Sequence, residues 1–408
     1  MEERTPPPSD GTESPRILRA RAEKFGALLA TESPTAVIAV DRTLAARLGV
    51  DGGALWNDAD GSVDVRMYEG PVEVHLAVTA HCPAGCPGCY VDATLGGEHV
   101  ALDVLRGRLD DIRALGAFRV ALGGGEAMLH PDLGAVLAHG RALGLEMSVT
   151  TSGLGLTAAR AAMLDGASQV NVSHDGLGPD YETVRGYDGS GVAERSIRML
   201  VAAGVRVGVN TVLTRSNFAG VPELAARIRD LGAGELQLLR YKPGGRANLD
   251  YLARRLTPDQ VRAVPALLRA VVALGGFSLR IDCSMVPFLA ADSALAAEDL
   301  FRFGVEGCEA GRALATVGTS GAVKPCSFWP GDGNRAATLD DAWRHGDDLE
   351  GARDHVFEAP MPCRTCPLQR VCRGGCRVVA THVEGDARAP DPECPRVIAW
   401  RAAADTEA

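Results

Sequence analysis

Cysteine is the residue type in this 408-residue chain whose number and spacing most clearly predict chemistry. Three of the eleven cysteines, Cys82, Cys86 and Cys89, lie within eight residues, and Cys283 stands alone. The remaining seven are Cys308, Cys326, Cys363, Cys366, Cys372, Cys376 and Cys394. A chain of this length can bury a large core without disulfides, so metal ligation explains the thiols better than cross-linking does. The sequence therefore predicts two metal-binding regions.

The first three cysteines form a loop that supplies fewer ligands than an iron–sulfur cluster usually takes. A [4Fe–4S] cluster normally binds four thiolates, so a loop with three leaves one iron free to bind another molecule. A zinc knuckle or a redox loop is the alternative. A zinc ion would require a fourth ligand close by, and His81 is the neighbouring side chain that could bind it. The spacing favours an iron–sulfur cluster with one open iron.

Strands and helices that can position these thiols alternate from residue 72 onward. Apolar runs rich in β-branched residues are separated by helical patterns, which is typical of βαβ units around a parallel sheet. The predicted strands lie near 72–78, 118–122, 146–150, 169–173, 205–213 and 235–239, and the predicted helices near 102–115, 132–143, 156–164, 192–203 and 220–231. A capping-box pattern predicts a further helix from Thr257 to about Leu274, and a seventh strand follows at 277–282.

Glycines and polar residues occur where these strands end, and barrels of parallel strands place their chemistry at those ends. A glycine run at the end of the second strand allows the backbone to approach a ligand closely. The third strand ends in a similar polar segment, Thr150-Thr151-Ser152-Gly153. Gly124, Gly125 and Glu126 at the end of the second strand are therefore candidates to contact a ligand.

The three-cysteine loop, followed in order by Gly123-Gly124-Gly125-Glu126 and Ser173-His174-Asp175-Gly176, resembles the radical SAM superfamily. The resemblance implies a partial (β/α)6 barrel and a [4Fe–4S] cluster whose open iron binds S-adenosylmethionine (SAM). In that family the reduced cluster cleaves SAM to a 5′-deoxyadenosyl radical, which abstracts a hydrogen from the substrate. The cofactors supply the difficult chemistry, and the protein positions them and excludes water.

The same resemblance assigns roles to the residues at the strand ends. Glu126 and its glycines would meet the SAM amino group, and Ser173 and Asp175 would lie near the SAM ribose and carboxylate. Arg185 would pair with the SAM carboxylate through its planar guanidinium. The alternative for Arg185 is an ordinary surface arginine.

Two further positions belong to the expected SAM pocket, and a third departs from the family pattern. Asn210 and Leu239 would line the pocket. The family often has an aromatic residue directly before the third cysteine, close to the adenine, and this chain has Gly88 there. Tyr90 is the candidate replacement.

The spacing of the last seven cysteines resembles the SPASM domain, named for the maturases of subtilosin, pyrroloquinoline quinone, anaerobic sulfatase and mycofactocin. Two zinc ribbons are the alternative interpretation. The resemblance assigns an outer auxiliary cluster to Cys363, Cys366, Cys372 and Cys394. It assigns an inner auxiliary cluster to Cys308, Cys326 and Cys376, which leaves the inner cluster one ligand short.

Cys283 is the candidate for the missing ligand. The related sulfatase maturases carry an extra cysteine six residues before the first one of this region, where this chain has Arg302. Cys283 either fills the vacancy or is a small buried side chain, which is the commoner role of a single cysteine. If it is not a ligand, one iron of the inner cluster is open for a substrate group.

The resemblance to SPASM proteins implies three [4Fe–4S] clusters, SAM, a ribosomally made peptide or protein substrate, and an external electron donor such as flavodoxin or ferredoxin. A radical SAM dehydrogenase or epimerase of small molecules is the alternative. A sulfatase-maturase role would want an acidic residue after Cys326, where this chain has Ser327. A non-catalytic electron carrier would explain the cysteines but not the residues at the strand ends.

The expected organisation has five parts. Residues 1–16 form a disordered tail, residues 17–70 a cap on the barrel or a segment that recognises the peptide, and residues 71–285 the radical SAM barrel. A linker at 286–306 leads to the SPASM domain at 307–400. Within 17–70 the sequence predicts one strand at 36–40 and a helix at 44–48.

Charge and hydropathy restrict the partners and the location of the protein. A formal net charge of −10 disfavours broad binding to nucleic acid or to an anionic membrane. The longest apolar stretches are interrupted by charges or proline and predict buried helices rather than membrane spans. We therefore expect a cytoplasmic enzyme with no nucleic-acid or membrane partner.

Overall fold

The computed structural model of the protein describes residues 16–32, 35–57, 67–302, 304–335, 338–354 and 359–407. The predicted tail, 1–16, lies outside the described residues except for Arg16. The chain divides into two compact units, Met1–Glu69 and Gly70–Ala408. Each unit has its own sheet.

The first unit contains a three-stranded antiparallel sheet of order β1-β2-β3, followed by a short helix. Its elements are β1 (Arg16–Glu23), β2 (Gly26–Glu32), β3 (Ala36–Asp41) and α1 (Arg42–Arg47). The predicted strand at 36–40 is confirmed, and so is the short helix after it. The prediction missed β1 and β2, because both are rich in Ala, Leu, Arg and Glu, which favour helices in isolation. Strand pairing overrides that local preference.

The second unit contains a nine-stranded sheet of order β10-β9-β8-β7-β6-β5-β4-β11-β12. Its strands are β4 (Glu73–Thr79), β5 (Arg119–Gly124), β6 (Glu146–Thr151), β7 (Gln169–Ser173), β8 (Val207–Leu213), β9 (Glu235–Arg240), β10 (Ser278–Ile281), β11 (Leu314–Val317) and β12 (Val323–Lys324). Strands β4 to β10 are all parallel and follow one another in chain order. The predicted α/β fold with a parallel sheet is confirmed.

Helices connect these strands and continue into the cysteine-rich region. They are α2 (Leu102–Ala114), α3 (Leu133–Ala142), α4 (Ala158–Ala162), α5 (Pro179–Arg185), α6 (Ser190–Ala202), α7 (Val221–Asp230), α8 (Tyr251–Arg254), α9 (Pro258–Leu274), α10 (Ala297–Arg302), α11 (Leu339–His345), α12 (Asp347–Asp354), α13 (Gln369–Cys372), α14 (Arg377–Glu384) and α15 (Pro395–Glu407). The predicted capping box of α9 is present, because Thr257 and Gln260 exchange hydrogen bonds.

The order of the strands leaves one face of the sheet free for chemistry. Right-handed crossovers between sequential parallel strands put every connecting helix on the same face. On that face Val120, Val149 and Val172 are fully buried in the main core. Side chains alternate along a strand. The residues directly before and after each of these valines therefore point to the opposite, inner face. The inner face is polar and half-buried, with Ser148 and Asn171 among its residues.

The cysteine-rich region is joined to this sheet. Strand β11 pairs in parallel with β4, and β12 pairs antiparallel with β11. The segment predicted as a linker, 286–306, contains α10 and most of a 3-10 helix, Cys283–Ala291. The domain limits at 71–285, 286–306 and 307–400 stay predictions, since residues 70–408 form one compact unit. In the described part of the chain, no helix has the length and hydropathy to cross a membrane.

Candidate active site and metal centres

The three-cysteine loop begins directly after β4 and lies over the ends of the neighbouring strands. The Cys82 amide donates to the Thr94 carbonyl over 2.8 Å, which closes the loop on itself. Burial raises the pKa of the Cys82 thiol, and the nearby Glu126, Cys86 and Cys89 act in the same direction. Burial also raises the pKa of Cys86, whereas Arg185 opposes that shift. The structure therefore brings the three thiols next to residues at the ends of β5 and α5.

Two glycines of the run that ends β5 allow the cysteine loop to pack closely against it. Gly125 and Glu126 donate their amides to the carbonyls of Thr79 and His81 over 2.7 and 2.8 Å. A Cβ atom on Gly124 would lie 2.3 Å from the Thr79 oxygen, and one on Gly125 would lie 2.2 Å from the His81 oxygen. The sequence predicted a close approach to a ligand at this run. The close approach seen is between two backbone segments, and it fixes the loop that bears the thiols.

Glu126 is held by four hydrogen-bond donors and is 1% exposed. Its Oε1 accepts from Thr151 Oγ1 (2.6 Å) and the Met128 amide (3.0 Å), and its Oε2 accepts from the Ser152 amide (2.7 Å) and Ser152 Oγ (2.5 Å). Burial raises the pKa of Glu126, and the bonds from Ser152 and Thr151 oppose that shift. A carboxylate has about four acceptor positions, so the predicted contact with the SAM amino group would require one of these bonds to break.

We expect Glu126→Gln to decrease the stability of the protein by about 1–3 kcal/mol, because the new amide would face the Ser152 donors and leave buried groups unpaired. The midpoint of urea unfolding, measured anaerobically on reconstituted protein, checks this. The exposed Glu223→Gln on α7 is the matched control, since it makes the same chemical change outside the site. Equal midpoints for Glu126→Gln and the wild type would contradict the positioning role.

Arg185 and Asp175 form a buried ion pair beside the cysteine loop. Asp175 Oδ2 accepts from Arg185 Nε, and Asp175 Oδ1 accepts from the Val212 amide over 2.6 Å. Burial alone would lower the pKa of Arg185, but the Asp175 carboxylate raises it above its usual range. The Arg185 side chain is 18% exposed, so it is not a fully exposed surface residue, and its contact with SAM stays a prediction. The guanidinium lies between a buried carboxylate and the Cys86 thiol.

The inner face of the sheet also carries an unpaired acceptor. Asn210 lies on β8 opposite Ser173 on β7. Among the described residues, Asn210 Oδ1 is buried and has no hydrogen-bond partner. Buried amide oxygens are normally paired, so this acceptor is available to a donor from a bound molecule or from water. Leu239 is half-buried on β9, two strands from Ser173.

The loop after β9 contributes a residue that sequence reasoning missed. Arg246 donates from Nε to the Cys86 carbonyl (3.1 Å) and from Nη1 to the Ala93 carbonyl (3.0 Å). A Cβ atom on Gly245, which has a φ of 50°, would lie 2.5 Å from the Cys89 oxygen. The Gly244-Gly245 pair was the only signal in the sequence. Arg246 therefore binds both sides of the cysteine loop.

The aromatic side chain that lies beside Gly88 is Tyr241, and a contact of Tyr90 with the adenine stays a prediction. A Cβ atom on Gly88 would lie 2.9 Å from Tyr241 Cε2, so the glycine leaves room for the Tyr241 ring. Tyr90 instead stacks on Phe328, with ring centroids 4.5 Å apart. Tyr241, directly after β9, is thus the aromatic neighbour of Gly88.

The outer group of cysteines surrounds a cavity. Cys363, Cys366, Cys372 and Cys394 all line one space of about 410 Å³, which is partly open to solvent. Burial raises the pKa of Cys372 well above its usual value, with Cys394, Asp391 and the other two thiols acting in the same direction. Four thiols around one cavity suit a cluster that takes four thiolate ligands. This is the grouping that the sequence predicted.

The inner group of cysteines packs together against aromatic side chains. Cys308, Cys326 and Cys376 belong to one cluster of apolar residues with Tyr241 and Trp329. Burial raises the pKa of Cys326 to about 12, and the Cys308 and Cys376 thiols contribute in the same direction. All eleven cysteines are free thiols. No three His, Cys, Asp or Glu side chains of the described residues are arranged as ligands of a single metal ion.

Comparisons with known proteins identify the class to which this site belongs. Residues 76–228 match the sequence model of the radical SAM superfamily. The chain is 29% identical over 360 residues to a PqqA peptide cyclase from Xanthomonas campestris pv. campestris (strain 8004), covering 83% of this chain and 91% of that protein. A PqqA peptide cyclase from Streptomyces rochei is 28% identical over 335 residues, covering 79% of this chain and 89% of its own.

A solved structure shares the fold over nearly the whole chain. SuiB from Streptococcus suis, in a structure bound to S-adenosylmethionine, superposes with a TM-score of 0.73 at 16% sequence identity, covering 92% of this chain and 98% of SuiB. The fold and the three thiols at the ends of parallel strands are those of a radical SAM enzyme. The chain carries a radical SAM domain over residues 76–228, and its cysteine-rich C-terminal region fits a SPASM domain.

Proposed function

We propose that this radical SAM enzyme modifies a ribosomally made peptide or protein and carries three [4Fe–4S] clusters. The observation that carries the proposal is the convergence of Cys82, Cys86 and Cys89 with the Asp175–Arg185 pair at the ends of parallel strands. Two further groups of thiols lie in the C-terminal region. A catalytic cluster explains the first group, and auxiliary clusters explain the other two.

The residues of the site suit the binding of SAM. When bound, the cluster and SAM together supply a radical that removes a hydrogen atom from the substrate. Arg185 offers N–H donors to the SAM carboxylate while Asp175 holds it in place, and charge-assisted bonds of this kind are the strong ones. Asn210 Oδ1 offers an acceptor. Gly124, Gly125 and Glu126 fix the loop that bears the thiols. Ser173 and Leu239 lie on the inner face of the sheet.

The names of the related proteins support a peptide substrate. The curated relatives above are named PqqA peptide cyclase, and a second SuiB structure is bound to the precursor peptide SuiA. These names describe the substrates of those proteins. We propose that this chain also acts on a peptide. Reductive SAM cleavage needs an electron from outside, so we propose flavodoxin or ferredoxin as the donor. Reduced thiols at all eleven cysteines favour a cytoplasmic location.

Residues 17–70 are proposed to recognise the peptide rather than to cap the barrel. In the described residues of this unit the sheet has three strands, with β1 and β3 at its edges. Edge strands present unpaired amides and carbonyls, to which an extended peptide can add. Ile38 on β3 is 44% exposed, which leaves an apolar side chain available to such a peptide.

Co-expression with the short open reading frames beside the gene tests the peptide proposal. We expect one such peptide to change in mass only when SAM, reductant and the intact Cys82–Cys89 loop are all present. The Cys86→Ala variant is the control, because it removes a proposed cluster ligand and keeps the rest of the site. A SAM-dependent mass change in a small metabolite, with every peptide unchanged, would instead establish the small-molecule alternative.

A further inference from the structure

The inner auxiliary site has three thiols from the cysteine-rich region and needs a fourth ligand if each iron is to be bound by the protein. Cys283 is distant in sequence from Cys308, Cys326 and Cys376. It lies directly after β10, which pairs with β9, and it begins the 3-10 helix Cys283–Ala291. The Ser284 amide donates to Asp282 Oδ1 over 3.0 Å, which fixes the start of that helix.

A buried lysine ties the residue before Cys283 to the segment that carries Cys326. Lys242 Nζ lies 2.5 Å from Asp282 Oδ2, and both side chains are nearly inaccessible. The same Nζ lies 4.2 Å from the centroid of the Phe328 ring, and Phe328 follows Cys326 by two residues. Asp282 and the Cys326 segment therefore contact the same cation.

A buried arginine ties the residue after Cys283 to Cys376. Arg240 Nη1 donates to the Ser284 carbonyl over 2.9 Å and to Asp391 Oδ2 over 2.6 Å. Asp391 Oδ2 also accepts from the Cys376 amide over 2.9 Å. A chain of three hydrogen bonds, through the Arg240 and Asp391 side chains, thus connects the backbone of Ser284 to that of Cys376. Cys283 is held on both sides against the inner group.

The surroundings of the Cys283 thiol differ from those of a cysteine that only fills space in a core. The charges of Asp282 and Lys242 and the thiols of Cys308 and Cys376 all act electrostatically on the Cys283 thiol. The thiol is therefore close to two of the proposed ligands and to two charged groups. A purely structural cysteine would have apolar neighbours.

We propose that Cys283 is the fourth ligand of the inner auxiliary cluster. This inference rests on the auxiliary clusters of the proposed function. On binding iron the Cys283 thiol loses its proton to solvent, because metals bind the thiolate. The ammonium of Lys242 lies beside the thiolates and offsets their negative charge. With four cysteines bound, this cluster has no vacant position for a substrate group.

The test uses the full-length chain with Cys82, Cys86 and Cys89 changed to alanine, so that only auxiliary clusters contribute to the spectra. In this background we expect about eight irons per chain, four for each auxiliary cluster. Cys283→Ala should alter or remove one of the two electron paramagnetic resonance signals and leave the other unchanged. Ser284→Ala is the matched control, since it changes the adjacent residue without removing a thiol, and it should keep both signals.

Cyanide is the probe for an open iron. We expect it to leave the spectrum of the background protein unchanged and to shift the inner signal of Cys283→Ala, because the substitution opens one iron. If the alanine variant does not fold, Cys283→Ser replaces it in the test, because serine keeps the size of the side chain. We expect Cys283→Ser to shift the inner signal as well.

Different results overturn the inference and the function on which it rests. Identical spectra and iron content for Cys283→Ala and its background, or a shift when cyanide is added to the background protein, would exclude ligation by Cys283 and leave the auxiliary clusters in place. Iron far below eight in the background, with zinc in its place, would instead contradict the auxiliary clusters themselves.

Discussion

Replacing Cys82, Cys86 and Cys89 together with alanine is expected to abolish SAM cleavage and to remove about a third of the iron. Anaerobically reconstituted protein should hold about twelve irons per chain, four for each of three clusters. The three thiols lie together at the end of β4, and the other eight cysteines lie after β9. Loss of the first group therefore removes one cluster, with the open iron on which SAM binding and electron delivery depend.

Iron analysis, electron paramagnetic resonance and the yield of 5′-deoxyadenosine check this expectation. The matched control is the triple substitution of Cys363, Cys366 and Cys372, which should remove a similar share of iron and keep the spectral response of the first cluster to SAM. If the Cys82, Cys86 and Cys89 variant kept all of its iron, the first loop would not hold a cluster. About two zinc ions with little iron in the wild type would contradict the auxiliary clusters.

The parallel sheet could be predicted from the sequence because its signal is local. Strands such as Gln169–Ser173 are runs of alternating or β-branched residues, and glycines such as Gly116 and Gly204 mark where the helices end. The strands β1 and β2 could not be predicted. Their residues favour helices in isolation, and only pairing with a neighbouring strand makes them extended.

The types of the site residues could also be predicted, but their partners could not. The motif predicted that Glu126 contacts the SAM amino group. In the structure its carboxylate accepts hydrogen bonds from Thr151 and Ser152. Arg246 lies 160 residues after Cys86, whose carbonyl it binds. Spacing identifies residues that share a loop, and contacts between distant loops appear only in the folded chain.

Arg185→Ala is expected to raise the dissociation constant for SAM by one to two decades without changing the iron content. The guanidinium lies beside the cysteine loop, where Asp175 fixes its orientation. A charge-assisted hydrogen bond of this kind contributes about 1.5–3 kcal/mol, and about 1.4 kcal/mol corresponds to a tenfold change in affinity. Equilibrium binding of SAM to reconstituted protein measures the change.

The alanine variant also leaves Asp175 without its cation, so a second substitution must separate binding from folding. Arg185→Lys keeps a positive charge beside Asp175 but loses the planar fork that can bind a carboxylate through two bonds. We expect Arg185→Lys to fold and hold iron like the wild type and still to bind SAM more weakly. Arg198→Ala is the control for removing an arginine, because Arg198 pairs with Glu194 on the exposed side of α6. Unchanged SAM affinity in both Arg185 variants would limit this residue to a structural pair with Asp175.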